Sequence, residues 1–145
     1  MNPLNIMRLD LHAPLFYGKD ESLAPFEYTS LSEEILFCFE IAPAQYRCIE
    51  PDEAGYLGPL VFRGRSASRP SPPSPSEQIE LPAGTYLFAQ VREAIGREGF
   101  IWMAAEVQKE GLWERLTLEN RLYLRYLFED GKPVTQVFRP YSSEG

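Results

Sequence analysis

The sequence predicts an α+β domain, in which a mainly antiparallel β-sheet carries one principal helix. The chain contains eight tyrosines and nine phenylalanines among its 145 residues, and these residues favour strands. Several segments alternate apolar and polar side chains with the period of a strand. One stretch, Arg97 to Leu116, instead spaces its apolar residues as an amphipathic helix does.

The N-terminal half, residues 1–64, is predicted to contain four strands and no clear helix. Residues 6–11 alternate apolar with charged side chains, and "EEILFCFEI" places its apolar residues on one face. "QYRCIE" and "GPLVFRG" also have the composition of strands. "PLFYGKDESLAPFEYTS" reads as irregular, because proline and glycine interrupt it.

A serine- and proline-rich segment, residues 65–78, separates the two halves of the chain. Its sequence, "RSASRPSPPSPSEQ", excludes a helix and a central strand. We expect an extended connection across the surface. The length fits one domain, 1–145, in which the halves 1–64 and 79–145 share a core.

The C-terminal half, residues 79–145, is predicted to form a βαββ unit. "GTYLFAQVRE" gives the first strand, and a helix begins near Gly99 and ends at Gly111. Two apolar runs then flank Asp130-Gly131, the favoured loop of a two-residue hairpin.

This loop fixes the register of the hairpin. The residues that then face each other on one side are Glu129 and Lys132, Leu127 and Val134, Arg125 and Gln136, and Tyr123 and Phe138. The opposite, more apolar side is expected to pack under the helix and carries Leu122, Leu124, Tyr126, Phe128 and Val137.

Composition and charge narrow the classes of partner. The net charge of −7 repels a phosphate backbone, so we expect no nucleic acid partner. No segment has the roughly 20 apolar residues that a membrane helix needs. Charged residues interrupt the N-terminus where a signal peptide would be apolar, so we expect a cytoplasmic protein.

Two cysteines fall on segments predicted to be neighbouring strands. If residues 42–44 form the hairpin loop, Cys38 lies opposite Cys48, close enough for a disulfide. In a cytoplasmic protein two reduced, buried thiols are the favoured alternative, and we predict that state. Two sulfurs are half of a tetrahedral zinc shell, so we expect no metal site.

The sequence offers no constellation for catalysis. His12 is the single histidine, and it falls on the polar side of its strand. The glycines match neither a P-loop nor a dinucleotide fingerprint. We therefore expect neither an enzyme nor a cofactor.

The hairpin and the first strand of the unit instead suggest a binding groove, in which a few polar groups orient a ligand against aromatic rings. The candidate ligand-binding residues are Tyr86, Phe88, Trp102, Tyr123, Arg125 and Gln136. Trp102 either borders this groove or caps the core. The alternative reading is a half-exposed sheet with an arginine lying along apolar surface.

Three motifs carry a resemblance to a known family: "ELPAGTYLFAQV", "GFIWMAAEVQKEGLW" and "LYLRYLFEDGKPVTQVFRPY". Together they resemble one βαββ unit of the gyrase-inhibitor-like, or AraC effector-binding, superfamily. The matching positions are Pro82, Gly84 and Tyr86, then Trp102, then Pro140. The resemblance implies a duplicated unit, with a groove for a small effector between the halves.

Two positions depart from that pattern. Members often carry a glutamate for cationic ligands on the strand after the helix, where this chain has Tyr123, Arg125 and Tyr126. An arginine favours an anionic or neutral ligand. The first half also lacks a helix signal between its first two strands.

The sequence thus predicts a non-enzymatic domain that binds a small amphipathic or aromatic ligand, with Arg125 fixing a polar or acidic group. The alternative is a protein-interaction module or adaptor. Its support is the Pro/Ser segment, the acidic composition and strand edges that accept a partner strand.

Overall fold

The computed structural model describes residues 5–20, 34–41, 57–65, 78–93 and 95–142. The strands and the helix in these residues are β1 (Ile6–Leu11), β2 (Leu15–Lys19), β3 (Ile35–Ile41), β4 (Leu57–Arg65), β5 (Gln78–Leu81), β6 (Gly84–Val91), α1 (Arg97–Trp113), β7 (Thr117–Leu118), β8 (Arg121–Glu129) and β9 (Lys132–Ser142). The strands predicted at 6–11, 35–41, 58–64 and from 84 are confirmed. The prediction that residues 15–19 are irregular is wrong, because they form β2.

The predicted α+β class is wrong, because the fold is mainly β. Most of the described residues lie in antiparallel strands, which form a curled half-barrel sheet with one helix. A sheet that curls buries much of its own inner face, so a single helix is enough to cover the core on the other face. No helix in the described part of the chain is long and apolar enough to cross a membrane.

The order of strands across the sheet is β1-β6-β9-β8-β3-β4-β2-β5, with the short β7 pairing with β9. The strand β3 lies between β4 and β8, so Cys38 faces Phe62 on one side and Tyr123 on the other. The predicted pairing of β3 with "QYRCIE" is therefore wrong at Cys38, because both of its edges are occupied. Cys48 and residues 66–77 of the predicted connection lie outside the described residues.

Two bent strands, β1–β2 and β5–β6, run from one end of this order to the other. We call this pair of strands the ribbon. Residues 12–14 connect β1 to β2, and Pro82-Ala83 connect β5 to β6. The pairing of β1 with β6 ends at Leu11 and Gly84, and the pairing of β2 with β5 resumes at Leu15 and Leu81. One strand thus uses one more residue than the other, which is the defining feature of a bulge and bends the ribbon.

The two halves of the chain share one arrangement of strands. In the first half β4 lies between β2 and β3, and in the second half β9 lies between β6 and β8. The halves meet where β3 pairs with β8 and along the bent ribbon. In the second half α1 precedes β8, whereas residues 21–33, between β2 and β3, lie outside the described residues.

The helix packs on one face of the sheet, which we call the outer face. Phe100, Met103, Ala104 and Val107 are buried there against sheet residues that include Leu87. The predicted packing of the apolar side of the hairpin under the helix is confirmed for Leu122, Leu124, Tyr126 and Val137. Phe128 is only half-buried and does not join this core.

The β8–β9 hairpin forms as predicted, with all four predicted pairs opposite each other. Asp130 and Gly131 have φ angles of +54° and +76°. Two successive positive φ angles are characteristic of a type I′ turn, whose twist matches that of the strands. The two-residue loop therefore sets the register of the whole hairpin.

The helix ends two residues later than predicted, and the residue at its end is not glycine. Leu116 donates its N–H to the Gly111 carbonyl at 2.9 Å and Arg115 donates to Leu112 at 3.1 Å, which is a Schellman motif. Arg115 supplies its left-handed residue with φ +59°. Gly111 lies inside the helix, where a Cβ would come within 2.7 Å of the Leu118 side chain. Trp113, the last residue of the helix, is 84% exposed.

We expect replacement of Arg115 with glycine to raise the free energy of unfolding by about 0.5–1 kcal/mol, because glycine adopts a left-handed conformation without a steric penalty. Equilibrium urea unfolding measures this change. Arg115→Ala is the control, since alanine removes the same charge but keeps the Cβ atom. Equal stability of the glycine and alanine variants would contradict the Schellman assignment.

Candidate functional site

Five of the six predicted site residues lie on the face of the sheet away from the helix, which we call the inner face. They are Tyr86 and Phe88 on β6, Tyr123 and Arg125 on β8, and Gln136 on β9. Trp102 is on α1 and packs against the outer core. The sheet therefore separates Trp102 from the other five residues.

Aromatic rings fill much of the inner face. The ring of Tyr86 meets those of Phe138 at 5.7 Å and Tyr123 at 6.1 Å between centroids, in edge-to-face geometry. Phe88 packs on Phe138 at 5.0 Å, and Phe62 on Tyr123 at 6.1 Å. Edge-to-face contacts of this kind add favourable energy beyond burial alone. These five rings form one connected cluster on the inner face.

A polar network lies beside these rings and centres on Arg125. Its Nε and Nη2 donate to Glu34 Oε2 at 3.0 and 2.6 Å, and its Nη1 donates to Gln136 Oε1 at 2.9 Å. The Tyr17 hydroxyl donates to the same Glu34 oxygen. Gln136 in turn donates to Gln90 at 2.7 Å. We call Arg125, Tyr17 and Gln136 the Arg125 cradle.

The ion pair of this cradle is largely shielded from water. The side chains of Arg125 and Glu34 are 17% and 30% exposed. Burial lowers the pKa of Arg125, but Tyr17 and Glu34 outweigh it and leave the pKa above its usual value. Burial also raises the pKa of Tyr17 well above its ordinary range. Arg125 is therefore a cation and Tyr17 a neutral donor at any physiological pH.

A groove of about 390 Å³ opens at the bend of the ribbon, between β6, the β7–β8 turn and the end of β9. The residues that line it are Pro82, Ala83, Gly84, Thr85, Tyr86, Glu119, Arg121, Tyr123, Pro140, Tyr141 and Ser142. Tyr86 and Tyr123 are the two predicted site residues among them. Phe88, Arg125 and Gln136 do not line this groove.

Local interactions hold the walls of the groove in place. The Tyr86 hydroxyl donates to the Pro82 carbonyl, and the Thr85 hydroxyl donates to Tyr141 O at 2.9 Å. Gly84, at the bend, has φ +151°, a conformation that side chains rarely adopt. The conformation of this bend therefore depends on glycine.

A buried arginine supports the rim of the groove from the outer face. Arg139 is 1% exposed, and its Nε donates to the Glu119 carbonyl at 2.6 Å. Its Nη1 reaches Gln108 on the helix at 3.2 Å. Arg139 thus ties the turn that carries Glu119 to α1.

Arg121 is the cation at the groove. A hydrogen bond with the Tyr123 hydroxyl is the main cause that raises its pKa. Burial, in turn, raises the pKa of Tyr123. Arg121 is exposed, so its guanidinium is accessible at the groove wall beside Tyr123.

Sequence reasoning missed Arg121 although a signal was present. Residues 121, 123 and 125 alternate along β8, so Arg121 continues the series that contains Tyr123 and Arg125. Glu34 and Tyr17 had no such signal, because they are far from Arg125 along the chain. Only the order of strands brings them together.

Cys38 is a buried free thiol on the inner face. Burial raises its pKa to about 12. A thiol with that pKa is unreactive near neutral pH, since the thiolate is the nucleophile. Among the described residues, no group of three or more histidine, cysteine, aspartate or glutamate side chains could hold a metal ion.

No protein-family model matches the chain, and no match is found among proteins of curated function. We therefore infer the function from the groove and the cradle. Their side chains are phenols, guanidinium groups, amides and carboxylates, which bind and orient a ligand.

We expect Cys38 to resist thiol reagents in the folded protein. A shift of the thiol pKa from 9.0 to about 12 lowers the thiolate fraction at pH 8 about 1000-fold, and burial blocks access as well. The measurement is the rate of labelling by a thiol reagent in a Cys48→Ser variant, with and without urea. Fast labelling without urea would show that the inner face is open at Cys38.

Proposed function

We propose that the protein is a non-enzymatic, cytoplasmic domain that binds a small molecule in the groove at the bend of the ribbon. The observation that carries this proposal is the groove itself, in which three buried tyrosines and an arginine meet. Its volume of about 390 Å³ falls within the range of small-molecule sites.

The lining favours a small amphipathic or aromatic ligand with an anionic or hydrogen-bond-accepting group. Tyr86, Tyr123 and Tyr141, with two prolines, contribute rings to a groove whose accessible surface is more polar than apolar. Arg121 offers a planar set of donors to a carboxylate or a carbonyl. Glu119 adds an acceptor at the rim.

In this proposal Arg121 takes the role that the sequence suggested for Arg125. Three nitrogens of Arg125 already donate to Glu34 and Gln136, whereas Arg121 lines the groove. The resemblance to the gyrase-inhibitor-like superfamily stays part of the proposal. It implies a duplicated unit, and the halves of this chain share one arrangement of strands.

A panel of aromatic carboxylates that includes benzoate, measured by thermal shift and then calorimetry, tests this site. We expect Arg121→Gln to weaken binding by about 10- to 100-fold, because it removes a charge-assisted hydrogen bond worth about 1.5–3 kcal/mol. Arg115→Gln is the matched control, since Arg115 is exposed and is not among the residues that line the groove. Equal affinity of both variants, or no binding by the wild-type protein at millimolar concentrations, would contradict the proposal.

A second candidate function is protein interaction, and one observation favours it. Leu112 and Trp113, adjacent at the end of α1, are 59% and 84% exposed. Glu114 links this end of the helix to Arg8 on β1, and within the described residues β1 pairs only with β6. An exposed strand edge beside apolar side chains is a feature of interaction surfaces.

We expect Trp113→Ala to change the free energy of unfolding by less than about 0.5 kcal/mol, as for an exposed side chain. Phe100→Ala, in the same helix but fully buried, should cost about 3–5 kcal/mol. Urea unfolding of both variants measures the difference. A large loss from Trp113→Ala would show that Trp113 contributes to the fold, and would remove the main support for an interaction surface.

A further inference from the structure

We propose that the Arg125 cradle is a second ligand site, specific for a carboxylate, in which Glu34 is a displaceable occupant. This inference does not depend on the groove at the bend.

The grip has the form of carboxylate recognition. One oxygen of Glu34 accepts from two nitrogens of Arg125 and from the Tyr17 hydroxyl. Charge-assisted hydrogen bonds of this kind are the strong ones in proteins. The donors come from β8 and β2, whereas Glu34 precedes β3. The donors of the cradle therefore belong to different strands from the carboxylate that they bind.

The cradle is held in shape by contacts that do not involve Glu34. Arg125 pairs with Leu36 on one side and with Gln136 on the other, inside the sheet. Its Nη1 is held by Gln136, which Gln90 holds in turn. Tyr17 is almost fully buried. The donors therefore stay in position when the carboxylate leaves, which is the preorganisation that a binding site needs.

Glu34 is placed where it can leave without disturbing the strand pairing. The strand pairing of β3 begins at Ile35, so the backbone of Glu34 takes no part in the ladder. Its side chain is 30% exposed, and rotation about its own torsions carries the carboxylate into solvent. A ligand carboxylate that replaces it restores the same hydrogen bonds, so the exchange leaves no buried charge without a partner.

Glu34 belongs to the same chain as the cradle, and its competition sets the affinity for a simple carboxylate. A group attached to the same chain competes at an effective concentration of about millimolar or higher. Acetate should therefore bind weakly to the wild-type protein. Removal of the Glu34 side chain should increase its affinity at least about tenfold. A ligand that displaces Glu34 in the wild-type protein must make contacts beyond its carboxylate.

The test is titration of Glu34→Ala and of the wild-type protein with sodium acetate, followed through the Arg125 Nε–Hε resonance and the thermal midpoint. Sodium chloride at equal ionic strength is the control for screening. We expect a saturable shift of the Arg125 resonance and a rise of the thermal midpoint in Glu34→Ala. The response of the midpoint should be lost in Glu34→Ala/Arg125→Met and should persist in Glu34→Ala/Arg121→Gln.

A folded Glu34→Ala variant that responds equally to acetate and chloride overturns the proposal. A thermal response to acetate that survives the loss of Arg125 overturns it as well. If Glu34→Ala does not fold, Glu34→Gln, which keeps the side-chain volume but removes the competing carboxylate, is titrated instead: a saturable shift of the Arg125 resonance with acetate supports the proposal, and its absence overturns it. The Glu34→Ala/Arg121→Gln variant distinguishes binding in the cradle from binding in the groove, because it removes the cation of the groove and leaves Arg125 in place.

Discussion

The fold depends on the two bent strands that join the ends of the sheet. Consecutive Cα atoms are about 3.8 Å apart, so Leu11 and Leu15 lie within about 15 Å, and Leu81 and Gly84 within about 11 Å. These strands stand near opposite ends of the order β1-β6-β9-β8-β3-β4-β2-β5. A flat sheet would place them much further apart, because neighbouring strands are about 4.8 Å apart. The sheet therefore curls, and its inner face must be filled.

The residues that fill the inner face bring polar groups with them, and these groups need hydrogen-bond partners. Tyrosines supply volume, and the hydroxyls of Tyr17 and Tyr86 find acceptors at Glu34 and the Pro82 carbonyl. A buried hydroxyl without a partner would cost stability. Arg125 is paired for the same reason, since an uncompensated buried charge costs far more than the pair contributes. The groove opens at the bend, where Pro82 and Ala83 interrupt the strand pairing between Leu81 and Gly84.

The sequence predicted the features that depend on residues close together in the chain. Asp130-Gly131 fixed every pair of the β8–β9 hairpin, and the apolar spacing of α1 identified the residues that face the sheet. The position of β3 between β4 and β8 was beyond such patterns, because strand alternation does not specify a partner. Gly111 was misread as a helix end because local sequence does not show that Leu118 packs against it. The sequence predicted only part of the site. Tyr86 and Tyr123 could be identified because strand alternation places them on one face, whereas Glu34 meets Arg125 only through the order of strands.

The measurement that tests this account most directly is the pattern of cross-strand nuclear Overhauser effects between backbone protons. We expect one bent ribbon, with contacts that link Leu9 to Tyr86 and Tyr17 to Ile79, together with contacts between Cys38 and Tyr123. A spectrum in which Cys38 instead contacts residues 45–50, or in which Tyr17 lacks contacts with β5, would contradict the curled sheet and the two sites built on it.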